Sequence, residues 1–500
     1  MREIHQLPLL LERGGQRPLQ RQLLDQLRGK VLSGVLRPGQ QLPSIRELAL
    51  NLRVSRNTVL QVYEVLSSEG YITTRSTRGT FVADLLPDRS LSVCRLLPQM
   101  EACHDLNPPD FLPDIRQPLP LSPEVTSVEA RSVVELDFSV GRPSADLFPH
   151  NAWFKASACQ ARRNPRYLTD YAPSAGDPGL RQALVEHLGR ARGIACSIED
   201  VVIVSGIQEA LSLIVSLLPQ DKRPVVVENP CYAGARNLFA YHRREALPIA
   251  VDEHGLCVEA LPERACSLVY VTPSRQYPLG MTLSFERRRA LLAWAHRHGA
   301  YVLEDDYDCD FCYQRVPLPA LKAFDSGRVI YLGTFSKSLG AGLRLGYMVC
   351  PPSLREALVR AKALLNHACP WLPQVVLADF LYSGTYAAHL RHVRSEYQRR
   401  RDCLIAALER GFPGSIFSGV DCGMHLCWHL PADAPSAPEL ALACREAGIR
   451  LYTLGQAAAV GPGIESLSER LLLVGYAALS LNCIARGTQR IVQVATRLGD

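Results

Sequence analysis

A buried strand that leads into a lysine-bearing turn constrains the fold of this 500-residue chain more than any other stretch. Residues 329–332, Val-Ile-Tyr-Leu, form an apolar run of the kind that a fully buried strand shows. Thr334 and Ser336 follow this run and lead to Lys337. Arg344 comes shortly afterwards. Polar residues that collect at the end of a buried strand are typical of open α/β sheets, which bind ligands at that edge.

The lysine after this strand has two interpretations. It is either a solvated surface residue, since lysine is almost never fully buried, or an amine in a dry site whose lowered pKa lets it form a Schiff base with a carbonyl. The neighbours favour the second, because the hydroxyls of Thr334 and Ser336 and the guanidinium of Arg344 suit a phosphate. These are the parts that hold pyridoxal 5'-phosphate (PLP), so we expect Lys337 to carry that cofactor.

A second stretch, residues 301–308, supplies what PLP would still need. It is an apolar strand that ends in carboxylates and a tyrosine, Asp305 and Tyr307 among them. A carboxylate beside the pyridine nitrogen keeps the ring protonated as an electron sink, and a tyrosine hydroxyl can bond the phenolic oxygen. The stretch resembles the fold-type-I aminotransferases and, more closely, the MocR-type regulators of the GntR superfamily. The resemblance implies these two roles for Asp305 and Tyr307; the alternatives are a solvated acidic loop or a metal site.

A strand, a Ser-Gly turn and the start of a helix occupy residues 200–211. The first N–H groups of such a helix are free to bind a phosphate. The candidate phosphate-binding positions are Ser205, Gly206, Ile207 and Gln208.

Three further site residues follow from the resemblance alone. It implies that Tyr232 stacks on the pyridine ring, the alternative being a core aromatic, and that Gln276 contacts the oxygen side of the ring. It also implies that Arg470 binds the carboxylate of an effector. The chain departs from the family pattern at Arg275 and Leu279, where a histidine and a threonine are expected. The role of Arg275 is therefore open.

The first 84 residues hold most of the excess positive charge. They contain 12 Lys and Arg against 7 Asp and Glu, a net charge of +5, whereas the whole chain has +6. A basic segment of this kind favours a polyanionic partner.

Helical periodicity and capping residues divide this basic segment into three helices and a hairpin. The helices are predicted over 18–32, 44–52 and 55–69, the second opening with a capping box formed by a serine and a glutamate. Residues 71–82 alternate as a β-hairpin does. The segment resembles the winged helix-turn-helix of GntR-type DNA-binding domains, whose third helix enters the major groove and whose wing touches the minor groove. The candidate DNA contacts are Arg46, Arg56, Asn57, Thr58 and Arg78, although any one arginine could instead belong to a solvated helix face.

Composition and patterning divide the chain into three parts. Residues 1–84 form the winged helix-turn-helix domain, and residues 85–133 are rich in proline, which predicts a linker. Residues 134–500 alternate strand and helix patterns, which predicts an α/β domain with a mostly parallel sheet and a small C-terminal subdomain. The resemblance makes this a fold-type-I, PLP-binding, aminotransferase-like domain.

Targeting signals and disulfides are not expected. The first residues show no signal-peptide pattern and no apolar run reaches membrane-spanning length, so we expect a cytoplasmic protein that joins the nucleoid when bound to DNA. The 16 cysteines are then expected to be reduced. Cys309 and Cys312 form a C-x-x-C pair, which is either coincidental or a redox or metal site.

Taken together, these patterns predict a PLP-dependent transcriptional regulator. The resemblance implies a homodimer on operator DNA and an effector that is an amine or amino acid displacing Lys337, or PLP itself. Two alternatives remain: a working aminotransferase that also binds DNA, and a repressor whose second domain binds no cofactor. Turnover with an amino donor and a keto-acid acceptor would distinguish the first alternative from a regulator without enzymatic turnover.

Overall fold

The structure, a computed structural model, describes residues 9–12, 17–75, 79–84, 86, 134–219, 221, 223–313 and 318–499. The chain divides into two compact units, Met1–Ile115 and Arg116–Asp500. Apart from residue 86, the predicted linker lies outside the described residues. Among the residues that are described, no helix combines the length and the apolar character that crossing a bilayer requires.

The described residues of the first unit form three helices and a hairpin, as the sequence predicted. The helices are α1 (Leu19–Leu32), α2 (Ile45–Leu52) and α3 (Arg56–Ser68), and the hairpin pairs β1 (Ile72–Arg75) with β2 (Gly79–Val82) antiparallel. They surround an apolar core to which all three helices contribute.

Serine caps fix where the second and third helices of this unit begin. Ser44 and Glu47 form a capping box, with the Ser44 side chain accepting from the Glu47 backbone N–H. Ser55 accepts from the backbone N–H of Thr58. Between the two helices, Arg53 adopts a left-handed conformation with φ of 52°, which turns the chain sharply. The result is a helix-turn-helix with α3 as its second helix.

The second unit is built on an eight-stranded sheet with the order β4-β11-β10-β9-β8-β5-β6-β7. The five central strands, from β10 to β6, run parallel, while β11 and β7 pair antiparallel with their neighbours. The predicted mostly parallel sheet is thus confirmed. The strands are β4 (Val201–Val204), β5 (Val225–Asn229), β6 (Ala246–Asp252), β7 (Gly255–Leu256), β8 (Leu268–Val271), β9 (Tyr301–Asp305), β10 (Val329–Thr334) and β11 (Gly346–Val349).

Helices cover this sheet, in which β5 and β8 are buried along their whole length and β9 and β10 along all but one residue each. Strands buried on both faces read as continuous apolar runs, which is why they could be found from the sequence. The helices of this part are α4 (His150–Arg163), α5 (Pro178–Arg192), α6 (Ile207–Leu217), α7 (Ala233–Tyr241), α8 (Phe285–His298), α9 (Arg355–Asn366), α10 (Trp371–Tyr382) and α11 (Thr385–Gly411).

The C-terminal part forms the predicted small subdomain. Its antiparallel sheet has the order β12-β13-β16-β15, and a separate parallel pair joins β14 to β3 (Leu136–Asp137), the first strand of the unit. The remaining elements are β12 (Ile416–Ser418), β13 (His425–His429), α12 (Ala437–Glu446), β14 (Ile449–Arg450), β15 (Tyr452–Thr453), α13 (Leu454–Ala457), α14 (Glu465–Arg470), β16 (Leu471–Gly475) and α15 (Leu481–Gly499).

Candidate cofactor site and DNA-binding surface

The ends of the parallel strands and the turns that follow them enclose a cavity of about 290 Å³. Ten of the twelve residues predicted to bind the cofactor line it, which is the arrangement expected at the carboxyl edge of an open α/β sheet. These ten are Gly206, Ile207, Gln208, Tyr232, Asp305, Tyr307, Thr334, Ser336, Lys337 and Arg344. Six residues that the sequence did not single out complete the lining: Val140, Gly141, Tyr270, Thr272, Tyr277 and His425.

Lys337 projects into this cavity from a single π-helical turn, Ser336–Gly340, directly after β10. Such turns are rare and frequent at functional sites. Its Nζ donates to the carbonyl oxygen of Gly141 at 2.8 Å. Burial lowers the pKa of Lys337 from its ordinary value, although Asp308 and Asp305 oppose that shift. A desolvated amine with a lowered pKa can act as a nucleophile towards a carbonyl carbon.

Gly141 approaches this amine so closely that a side chain would collide with it. A Cβ at Gly141 would lie 2.7 Å from Lys337 Nζ, and the backbone there has φ of +68°. Glycine is therefore required both by the conformation and by the space that the lysine occupies. The sequence offered no signal for this role, because Gly141 is nearly 200 positions away from the lysine.

Asp305 presents a carboxylate oxygen that no other described group uses. Its Oδ2 accepts from the Tyr270 hydroxyl at 2.7 Å, while its buried Oδ1 has no hydrogen-bond partner. Burial raises the pKa of the Asp305 carboxyl to about 7. An orphaned acceptor in a dry cavity fits a ligand that brings its own N–H, such as a protonated pyridine ring.

The phosphate end of the cavity lies where α6 begins. Gly206 precedes this helix with φ of +128°, and a Cβ there would lie 3.1 Å from Arg344 Nη2. The Arg344 guanidinium therefore lies against the N-terminus of α6, where free backbone N–H groups also carry positive charge. Among the described residues, the Arg344 side chain makes no hydrogen bond and no ion pair. The arrangement suits a dianion such as a phosphate ester.

Tyr307 is held by Arg275, the residue whose role was open. Arg275 Nη1 donates to the Tyr307 hydroxyl oxygen at 3.2 Å, so the proton of that hydroxyl remains available to a ligand in the cavity. The same nitrogen lies 3.2 Å from Asp308 Oδ2, in an ion pair whose side chains are 2% and 3% exposed. Arg275 Nη2 donates to the backbone oxygen of His425 at 2.7 Å. Arg275 thus joins the cavity wall to β13 of the small subdomain.

A glycine makes room for this buried guanidinium. A Cβ at Gly423 would lie 2.4 Å from Arg275 Cζ and 2.6 Å from Asp308 Oδ2, and its φ is +97°. The loop before β13 is therefore shaped around the ion pair, which explains how an arginine fits at this position.

Three predicted site residues do not point into the cavity. The Gln276 amide donates to the carbonyls of Pro230 and Tyr277 and accepts from the N–H of Leu279, and Gln276 does not line the cavity. The structure therefore does not support the predicted contact with the ring.

Ser205 and Arg470 are the other two. The Ser205 hydroxyl lies 3.4 Å from the sulfur of Cys369, and Ser205 does not line the cavity. Arg470 ends α14 and donates to the carbonyls of Ala434 and Leu430. It satisfies backbone acceptors away from the cavity, so the structure does not support the predicted effector role.

The two cysteines of the C-x-x-C motif have different surroundings. Cys312 Sγ lies 2.8 Å from Cys422 Sγ, while desolvation and the neighbouring Asp306 raise the pKa of the Cys309 thiol well above the ordinary value. Within the described residues, no group of three or more potential ligands is arranged to hold a metal ion.

The predicted DNA contacts occupy the helix-turn-helix of the first unit. Arg46 is exposed in the first turn of α2, and Arg56 and Asn57 are exposed in the first turn of α3. Thr58 is half-buried, with its hydroxyl 2.8 Å from that of Ser55. The exposed side chains gather at the N-termini of α2 and α3, as DNA contacts of a helix-turn-helix do. Arg78 lies outside the described residues.

Comparison with known proteins agrees with both units. Residues 134–459 match the family model for aminotransferase class I and II, and residues 19–82 match that for bacterial regulatory proteins of the gntR family. The probable rhizopine catabolism regulatory protein MocR of Rhizobium meliloti is 34% identical over 403 residues, which cover 80% of this chain and 79% of that protein.

Two further similarities concern a regulator and an enzyme. The pyridoxine biosynthesis transcriptional regulator PdxR of Corynebacterium glutamicum is 30% identical over 84% of this chain and 85% of its own length. The crystal structure of Pyrococcus horikoshii kynurenine aminotransferase in complex with PMP has a TM-score of 0.67 and 27% identity, covering 74% of this chain and 93% of that one.

Proposed function

Because the chain belongs to the MocR-type transcriptional regulators, with a GntR-type helix-turn-helix and a class I and II aminotransferase domain, we propose that PLP bound at Lys337 sets its affinity for DNA. The observation that carries the proposal is the pairing, in one cavity, of the half-buried amine of Lys337 with the orphaned carboxylate oxygen of Asp305. The relatives are named as regulators, which favours this function over an aminotransferase that also binds DNA.

Different residues of the cavity would bind different parts of the cofactor. Arg344 and the N-terminus of α6 would hold the phosphate, and Asp305 would accept the pyridine N–H. Tyr307, oriented by Arg275, would donate to the phenolic oxygen. When bound, PLP supplies two things: a carbonyl carbon that can react with a primary amine, and a pyridine ring that withdraws electrons from that amine.

Two further lining residues would help to hold the cofactor in place. Tyr232 receives a hydrogen bond from Gln208 at 3.1 Å, which fixes its ring beside the cavity, where it can stack on the pyridine. The Thr334 hydroxyl accepts from the backbone N–H of Ser336 at 3.1 Å and stabilises the turn that carries Lys337. Burial keeps this region dry, which favours an uncharged amine before the cofactor enters.

The DNA-binding role belongs to Arg46, Arg56, Asn57 and Thr58 in the first unit. We expect phosphate contacts from the arginines and base contacts from the first turn of α3. Two copies of the chain would bind paired half-sites as a homodimer, in the cytoplasm and on the nucleoid.

The test is a DNA-binding measurement on the full chain with and without PLP. Duplexes that the protein selects from a random pool serve as the operator, and fluorescence anisotropy at one fixed salt concentration gives the affinity. We expect PLP to change the affinity or the stoichiometry of the wild type and to have no effect on Lys337→Ala. An equal response of the two proteins to PLP would refute the proposal.

A further inference from the structure

The part of the cavity that the cofactor would leave free is poor in polar groups. Beside Lys337 it is bounded by the side chains of Val140, Tyr277 and His425 and by the carbonyl oxygen of Gly141. An effector that approaches the amine must bind between these groups.

The polar atoms of this wall are already bonded within the protein. The Tyr277 hydroxyl donates to the carbonyl of Ala457 at 2.8 Å. His425 Nε2 lies 3.0 Å from the carbonyl of Pro278, so this nitrogen carries the proton. His425 Nδ1 lies 3.3 Å from Arg275 Nη1, which makes it the acceptor. Burial, and then the Arg275 charge, lower the pKa of His425 well below its ordinary value, so the imidazole is neutral. The described residues of this wall therefore offer no cation.

The cationic side chains described near this wall are either assigned to the cofactor or already paired with another residue. Lys337 and Arg344 are the charged donors among the described lining residues, and both serve the cofactor. Arg275 lies behind Tyr307, where its guanidinium is paired with Asp308. Among the described residues, a carboxylate in this space would have no cation to pair with, and an unpaired buried charge is strongly disfavoured.

An ammonium group, unlike a carboxylate, would find suitable partners in this wall. The Gly141 carbonyl oxygen already accepts from one amine nitrogen, that of Lys337. The aromatic rings of Tyr277 and His425 lie 5.9 Å apart in an edge-on arrangement and line the same wall. Aromatic faces and carbonyl oxygens attract cationic amines. Behind them, an apolar cluster that includes Leu279 and Leu473 closes the cavity on the side of the small subdomain.

We propose that the effector of this regulator is a primary amine that carries no carboxylate, bound between Gly141, Tyr277 and His425. The inference rests on the proposed function, since it names the class of ligand that reaches Lys337. It excludes the α-amino acids, whose carboxylate would find no partner in this wall.

Matched pairs of ligands test it on the full-length, PLP-loaded protein. Phenethylamine is compared with phenylalanine, and 1,5-diaminopentane with lysine, because each pair differs only in the carboxylate. Isothermal calorimetry, the visible absorbance of the cofactor and DNA affinity are the three readouts. We expect each amine to half-saturate the protein at a concentration at least about tenfold lower than its amino acid, equivalent to 1.4 kcal/mol. Equal or tighter binding of the amino acids would overturn the inference.

A variant that adds a cation tests the reason for the preference. Val140 is half-buried in the wall, and we expect Val140→Arg to shift the preference towards the amino acids by about tenfold or more. Val140→Met is the uncharged control and should keep the wild-type order. An unchanged order in Val140→Arg, with PLP still bound, would contradict the argument from charge.

The remaining outcomes separate this inference from the function on which it rests. If PLP alone changes DNA affinity and no ligand of either kind binds, the effector is the cofactor, and the inference fails while the proposed function stands. If the wild-type protein takes up no PLP, the proposed function fails and the inference fails with it.

Discussion

Replacing Arg275 by methionine is expected to destabilise the fold and to weaken cofactor binding through two separable effects. Arg275 and Asp308 form an ion pair in which both side chains are at least 97% buried. Removing one partner leaves the other charge buried without compensation, which costs about 3–5 kcal/mol. We therefore expect Arg275→Met to lower the free energy of unfolding by that amount.

The double variant Arg275→Met/Asp308→Asn distinguishes charge from packing. It leaves no uncompensated charge, and replacing both partners of a buried pair is often nearly neutral, so we expect a loss below about 2 kcal/mol. Tyr307 lacks its Arg275 donor in both variants. PLP affinity should therefore fall in both, by about 0.5–1.5 kcal/mol, the net contribution of one hydrogen bond.

Denaturant unfolding of the PLP-free full chain, at one protein concentration, gives the stability of the three proteins. Absorbance titration with PLP gives the affinities. A loss of less than about 1 kcal/mol in Arg275→Met would refute the buried pair. Recovery of PLP affinity in the double variant would show that Arg275 does not act through the Tyr307 hydroxyl.

Three other predictions concern the Asp305 carboxyl, the Gly141 backbone and the DNA-binding residue Arg56. Burial raises the pKa of Asp305 to about 7 in the PLP-free protein. The folded state therefore keeps a proton that the unfolded chain loses above about pH 4. As a result, the free energy of unfolding falls as the pH rises from about 4 to about 7. The free energy of unfolding of Asp305→Asn should fall less steeply than that of the wild type between about pH 5 and about pH 7. Parallel curves of unfolding free energy against pH would contradict this. Gly141→Ala should abolish PLP uptake, measured by absorbance, because its methyl group meets the site lysine, whereas Gly299→Ala, at the same φ of +68° in open space, should not. Arg56→Ala should weaken DNA binding across sequences and reduce the salt slope by about 1, whereas Arg21→Ala on α1 should change neither.

Local features of the chain could be predicted because local physics determines them. The capping box at Ser44 and the cap at Ser55 depend on residues three positions apart, and both were found where expected. The buried strands before Asp305 and Lys337 were evident because strands covered on both faces are apolar throughout. The winged helix, the parallel sheet and the small subdomain followed from these elements.

Side-chain direction and long-range contacts were out of reach of the sequence. Gln276 and Arg470 lie in the predicted segments, yet their polar atoms are bonded to backbone carbonyls that only the tertiary fold brings near. Gly141 follows β3 and His425 begins β13, strands that pair with β14 and β16 of the small subdomain, and both residues nevertheless line the cavity. No periodicity or capping pattern encodes such an approach, which depends on the packing of distant segments.

Sodium borohydride reduction of the PLP-loaded protein, followed by mass spectrometry of its peptides, tests the central claim most directly. Reduction makes the bond between the cofactor and its lysine permanent, so the modified residue can be identified. Lys322 and Lys362 are buried and serve as internal controls, since their amines are bonded to carbonyl and carboxylate groups. The account predicts a phosphopyridoxyl group on Lys337 alone. An unmodified Lys337 peptide, or a modified Lys322 or Lys362, would contradict it.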